Sequence, residues 1–147
     1  MYVASVNALI VAIWSGLILI PDLNMSKIIA GGSAGTWFFV GYITLLAVGC
    51  GGILGCGTVN HVISTVKSKS PNNLLSWLGL LVWEAGILGV TLLLGLSGYI
   101  GGTGILNKLA TADIHLSIVG YALPAEIFIA IAIVGFLISI INIYITK

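Results

Sequence analysis

Long stretches without a charged side chain limit this fold more than any other feature. Residues 1–21, 28–66, 70–83, 85–107, 114–125 and 127–146 carry no Asp, Glu, Lys or Arg. A helix needs about 20 mostly apolar residues to cross the hydrocarbon core of a bilayer. Inside that core every backbone N–H and C=O must be bonded within the protein, which helices achieve and open strands do not. The runs therefore predict an all-α, membrane-type chain of four hydrophobic helices, at roughly 3–20, 35–66, 73–101 and 113–145.

The interruptions give the organisation. Pro21 and Asp22 end the first helix, and "GGSAG" at 31–35 forms the loop before the second. The polar stretch "KSKSPNN" at 67–73 is a linker loop between two helical hairpins, 1–66 and 74–147, of one domain, and "GGTGILNK" at 101–108 links the last two helices. "MYVASVNALIVAIW" has no positive n-region and "LILIPD" no small-residue cleavage pattern, so the first helix is expected to be retained rather than removed as a signal peptide. "SVNAL" at 5–9 against "SPNNL" at 70–74, and "VGY" at 40–42 against "VGY" at 119–121, leave open both an internal duplication and coincidence.

Composition narrows the function classes. Charged residues make up 6% of the chain, against roughly a quarter in a soluble domain. Five Lys, no Arg and a net charge of +1 exclude strong polyanion binding by a single copy. With four crossings, Lys67, Lys69 and Lys147 gather on one side, while Asp22, Lys27, Lys108 and Asp113 cancel on the other. The positive-inside rule then puts both termini in the cytoplasm. Trp37 and Trp77 stand near helix starts, as interfacial anchors do.

Glycine supplies the packing signal. Gly51 and Gly55 form G-x-x-x-G, as do Gly98 and Gly102, while Gly86, Gly89 and Gly95 recur along the third helix. Such spacing lets backbones approach closely, within a subunit or between subunits. Cys50 and Cys56 lie about 240° apart on a helix, so they neither bond to each other nor share a metal, and both read as small core residues.

Two acids lie deep in apolar runs, Glu84 in "LVWEAGILG" and Glu126 in "LPAEIF". A charge at mid-bilayer costs several kcal/mol, so each is neutral, paired or turned toward a protein or water interior. One reading is proton or ion carriage; the other is a protonated acid that donates a hydrogen bond to a neighbouring helix. At 1.5 Å per residue the two fall within roughly 10 Å in depth and could face each other. His61 and His115 are expected at opposite membrane faces, where one haem cannot be held by both, although "ADIHLSIVGY" is similar to histidine-bearing helices of haem–copper oxidases. No nucleophile–base order, phosphate loop or ligand cluster points to catalysis, and neither enzymatic activity nor a cofactor is expected.

"LPAE" at 123–126 resembles the carboxylate helix of rotary-ATPase proteolipids, which would make the chain a subunit of an ion-translocating or respiratory complex. There the carboxylate lies on the second helix of each hairpin, and Glu84 departs from that pattern. Taken whole, the chain resembles the highly hydrophobic major capsid protein of tailed, spindle-shaped archaeal viruses of the monocaudavirus and bicaudavirus kind. That resemblance rests on length and overall character. It implies a subunit that enters the host membrane before assembly, then packs with many copies of itself into a tubular or spindle-shaped virion shell around double-stranded DNA. On it, Lys67, Lys69 and Lys147 would form a weakly basic DNA-facing wall, contacting DNA without sequence preference. Gly51, Gly55, Gly86, Gly98 and Gly102 would be helix-packing residues, and Glu84 and Glu126 neutral hydrogen-bonding groups.

Overall fold

A computed structural model describes residues 2–67 and 71–145, and among these the chain is 91% helical with no strand. Four helices are long and apolar enough to cross a membrane: Tyr2–Leu19, Ser33–Val66, Asn73–Leu106 and Ala122–Ile145. The first, α1 (Tyr2–Leu19), stops at a 3₁₀ turn, Pro21–Leu23, and Asn24 then takes a left-handed conformation at φ 51°. Asparagine tolerates that region better than most L residues. A short helix, α2 (Met25–Ala30), lies in a connection expected to be loop.

The second span is compound. α3 (Thr36–Thr44) passes without a break into a π-helix, Leu45–Gly52, and then into α4 (Ile53–Lys67). The third span is α5 (Asn73–Leu106), started by Asn72, whose side-chain oxygen accepts from the N–H groups of Leu74 (2.9 Å) and Leu75 (3.3 Å). These are two of the amide donors that a helix start leaves unbonded.

Two expected boundaries move. α5 runs to Leu106 rather than ending near 101, because Gly101, Gly102 and Gly104 face Ala34, Ile28 and Ile114 and serve close approach rather than termination. The fourth span divides into α6 (Thr111–Val119) and α7 (Ala122–Ile145). Pro124 explains the break: it has no N–H for the Gly120 carbonyl, and its ring crowds that oxygen. Both pieces keep one antiparallel register on α5, with Ile114 at Gly104, Ile118 at Gly101 and Ala132 at Gly86.

α5 is the spine. It lies along α7, its most extensive partner, and along α3, while α1 packs chiefly on the π-helix. The helices meet through glycine: a Cβ at Gly86 would come within 2.6 Å of the Ala132 Cα, and one at Gly98 within 2.6 Å of the Phe38 Cα. Val11, Leu45, Cys50, Trp83, Ile87 and Ala132 form the core where α1, the π-helix, α5 and α7 converge. Outside it, Leu9, Leu54, Leu81, Leu92 and Ile141 stand exposed on four different spans. At about 25 cal/mol per Å² of apolar surface, such an exterior has to be covered by lipid or by protein.

Candidate functional site

Inside the apolar body, α1, the π-helix and α5 meet at one side chain. Asn7 is fully buried, and its Nδ2 donates to the Gly49 carbonyl (3.1 Å) and to Glu84 Oε2 (3.1 Å). With the amide turned over, its oxygen would oppose the Gly49 carbonyl, so the amide orientation follows from the network. Glycine at 49 leaves room for this contact: a Cβ would lie 2.9 Å from Leu45 Cδ1 and 3.2 Å from Asn7 Nδ2, so both side chains would have to shift. The wider turn of a π-helix is common at functional positions. Asn7 Oδ1 is buried without a hydrogen-bond partner.

Glu84 is half-buried and engaged with α1, whereas Glu126 is exposed on the first turns of α7. The two acids do not face each other, so the facing arrangement that their similar depth left open is not the one adopted. Ala132 lies against Gly86, which puts Glu126 level with about residue 92 of α5, about 12 Å along the axis from Glu84 at 1.5 Å per residue. Glu126 has no ion-pair partner among the described residues. It lines a groove of about 410 Å³ whose walls are Trp37 of α3, Leu93 and Ser97 of α5, and the bent α6–α7 segment with His115. The bend at Gly120 brings His115 and Glu126 into one groove, which their spacing did not announce.

The other candidate residues separate by location. Gly86, Gly98 and Gly102 each sit at a close helix approach. Among the described residues, Gly51 and Gly55 make no such approach: both are exposed, and a Cβ at Gly55 would meet nothing within 4 Å. The pair therefore lies on the outer surface of the subunit, open to lipid or to protein. Cys50 is buried and Cys56 half-buried against the same core, both as free thiols. His61 and His115 are exposed near opposite ends of the bundle. Lys67 ends α4, while Lys69 and Lys147 lie outside the described residues. Among the described residues, no group of three or more His, Cys, Asp or Glu could hold a metal ion.

A second polar network is absent from the sequence reading. Asn142 of α7 is 1% exposed; its Nδ2 donates to the Asn72 carbonyl (3.1 Å) and to Ser76 Oγ (2.8 Å), and its Oδ1 accepts from the Asn72 N–H (3.1 Å). One amide thereby clamps the start of α5 to the end of α7. Closer to the outer end of α1, the hydroxyls of Ser15 and Tyr42 are hydrogen-bonded at 3.0 Å. Each network joins helices that are distant in sequence, and none gathers a nucleophile, a base and an open cavity.

No protein-family model, no curated protein and no solved structure matches this chain.

Proposed function

We propose that this chain is a structural, self-assembling subunit that inserts into a membrane and then packs with many copies of itself into a shell. The observation that carries the reading is the contrast between its two glycine pairs. Gly98 and Gly102 are used inside the subunit, whereas Gly51 and Gly55 present an open, backbone-thin face among exposed Leu54, Val59 and Val62. A soluble monomer does not keep such a face in water.

The polar groups fit a structural role. Glu84 and Asn142 are spent on ties between helices. The finer form of the proposal follows the resemblance: a major capsid protein that builds a tubular or spindle-shaped archaeal virion around double-stranded DNA, with Lys67, Lys69 and Lys147 on the DNA side. The localisation is then the virion, reached by way of the host membrane, with both termini cytoplasmic beforehand. Removal of detergent from the purified chain tests self-assembly: regular tubes or sheets of this chain alone support it, and uniform small particles that never associate overturn it.

One observation favours a second reading. Glu126 has no ion-pair partner among the described residues and is exposed at mid-height of the bundle, as an ion-carrying subunit of a larger complex would require. That reading expects rapid, selective modification of Glu126 by a hydrophobic carbodiimide, with loss of ion transport by the complex. The structural reading expects assembly to survive Glu126→Gln.

A further inference from the structure

We infer that the outer end of the bundle holds a zwitterionic phospholipid, with its headgroup between α2 and the end of α5 and one hydrocarbon tail between α1, α3 and α5. The inference rests on the membrane insertion proposed above and adds a bound partner to it. Two adjoining cavities carry it. The first, about 380 Å³, is mixed: Asp22, Lys27 and Thr103 line it together with Leu23, Ile28 and Leu106. The second, about 280 Å³, is apolar and is lined by residues that include Trp14, Met25, Phe38 and Leu96, with Tyr99 again.

The change from polar to apolar follows the length of α5. On α5 the first cavity takes residues 99–107 and the apolar one residues 92–99, the next two turns toward the bundle centre. On the opposite wall residues 22–24, 27 and 28 line the first cavity, and Met25, between them in sequence, lines the second. Tyr99 belongs to both, and a tyrosine at such a level matches the interfacial preference of its ring and hydroxyl. An amphiphile whose head lies at the interface and whose tail points inward has this polarity along its length.

The charges select the head. Lys27 and Asp22 are both exposed into the first cavity and are not paired with each other among the described interactions. A Lys ammonium is a point-charge donor for phosphate oxygens. Asp22 would repel a purely anionic head, and it pairs with the ammonium of phosphatidylethanolamine instead. The Thr103 hydroxyl already donates to the Tyr99 carbonyl (2.7 Å), so its oxygen remains an acceptor for the same ammonium. A free phosphate ion would satisfy Lys27 alone, leaving both Asp22 and the apolar cavity unused.

The test is lipid retention by the full chain in mild detergent, read by native mass spectrometry after incubation with equal amounts of phosphatidylethanolamine, phosphatidylglycerol and diacylglycerol. Phosphatidylethanolamine is expected to be retained over both others. Lys27→Gln removes a charge-assisted hydrogen bond and should lower that retention about tenfold or more. Asp22→Asn should erase the preference over phosphatidylglycerol. Retention of phosphatidylethanolamine no better than diacylglycerol, or unchanged in both variants, overturns the site. Flotation of the same proteins on vesicles of phosphatidylethanolamine and phosphatidylglycerol separates the two levels of inference. A chain that floats but shows no headgroup preference loses only the lipid site; a chain that does not float loses membrane insertion and the lipid site together.

Discussion

The Asn7 amide on α1 donates to the Glu84 carboxyl group on α5 at 3.1 Å, and its second hydrogen goes to the Gly49 carbonyl of the π-helix. Helix α1 has few other buried residues, Ala4 and Val11, so this amide is its main polar tie to the rest of the body. Asn7→Leu should therefore loosen α1 by about 1–3 kcal/mol, the cost of leaving buried groups without partners. Glu84→Gln, which keeps an acceptor for the Asn7 amide, should cost less. Thermal unfolding in detergent measures both, and equal stability of Asn7→Leu and the parent would remove the tie from the list of stabilising contacts.

The α5–α7 contact depends on having no side chain at Gly86. A Cβ there would lie 2.6 Å from the Ala132 Cα, a backbone atom that cannot move aside cheaply. Gly86→Leu is expected to cost about 3 kcal/mol or more, in the range of severe overpacking, and to prevent recovery of a folded subunit. Circular dichroism and size-exclusion chromatography in detergent would show this, and an ordinary folded subunit would contradict it.

Gly55 should behave in the opposite way. A Cβ there meets nothing within 4 Å, so Gly55→Leu is expected to leave the fold intact, with a stability change of about 1 kcal/mol or less, given that leucine is the better helix former. Assembly should nevertheless fail, because the added side chain holds neighbouring backbones apart. Unchanged assemblies of Gly55→Leu would remove this face from the interface.

The Asn142 clamp predicts a local effect. Asn142→Ala removes three hydrogen bonds to Asn72 and Ser76. A loss of about 1–3 kcal/mol is expected from the buried groups left unpaired. Hydrogen exchange should rise at the first turn of α5 well before it rises at Gly86. Uniform exchange along α5 would argue against a local clamp.

Replacing Lys67 and Lys69 together by Gln should lower DNA retention more than shell formation, since repeated surface charge governs non-specific phosphate binding. An equal DNA load measured per particle would sink the role given to these two residues.

The fold class and the number of spans were legible because apolar runs in a bilayer admit little besides helices. Partners were not. Glycine at 98 and glycine at 51 read alike in sequence, and only the helix arrangement shows Gly98 against Phe38 and Gly51 facing outward. The possibility that Glu84 and Glu126 face each other is not realised, because depth alone does not give direction around a helix axis. Glu84 turns toward α1, where the informative residue was Asn7, one amide inside the "SVNAL" stretch that drew notice only as an echo of "SPNNL". Nor do the two asparagines in that echo act alike: Asn7 ties helices from mid-helix, while Asn72 caps α5. Pro124 was passed over as a helix breaker within the expected 113–145 helix, and the groove that unites His115 with Glu126 also needs α3 and α5 as its other walls.

Negative-stain microscopy of native material containing this chain, with a nuclease-protection assay on the same fraction, tests the proposed shell most directly. Regular tubes or spindles that hold nuclease-resistant DNA are the predicted result. Small detergent-dependent particles without DNA would contradict it and turn attention to Glu126 as a reactive carboxylate.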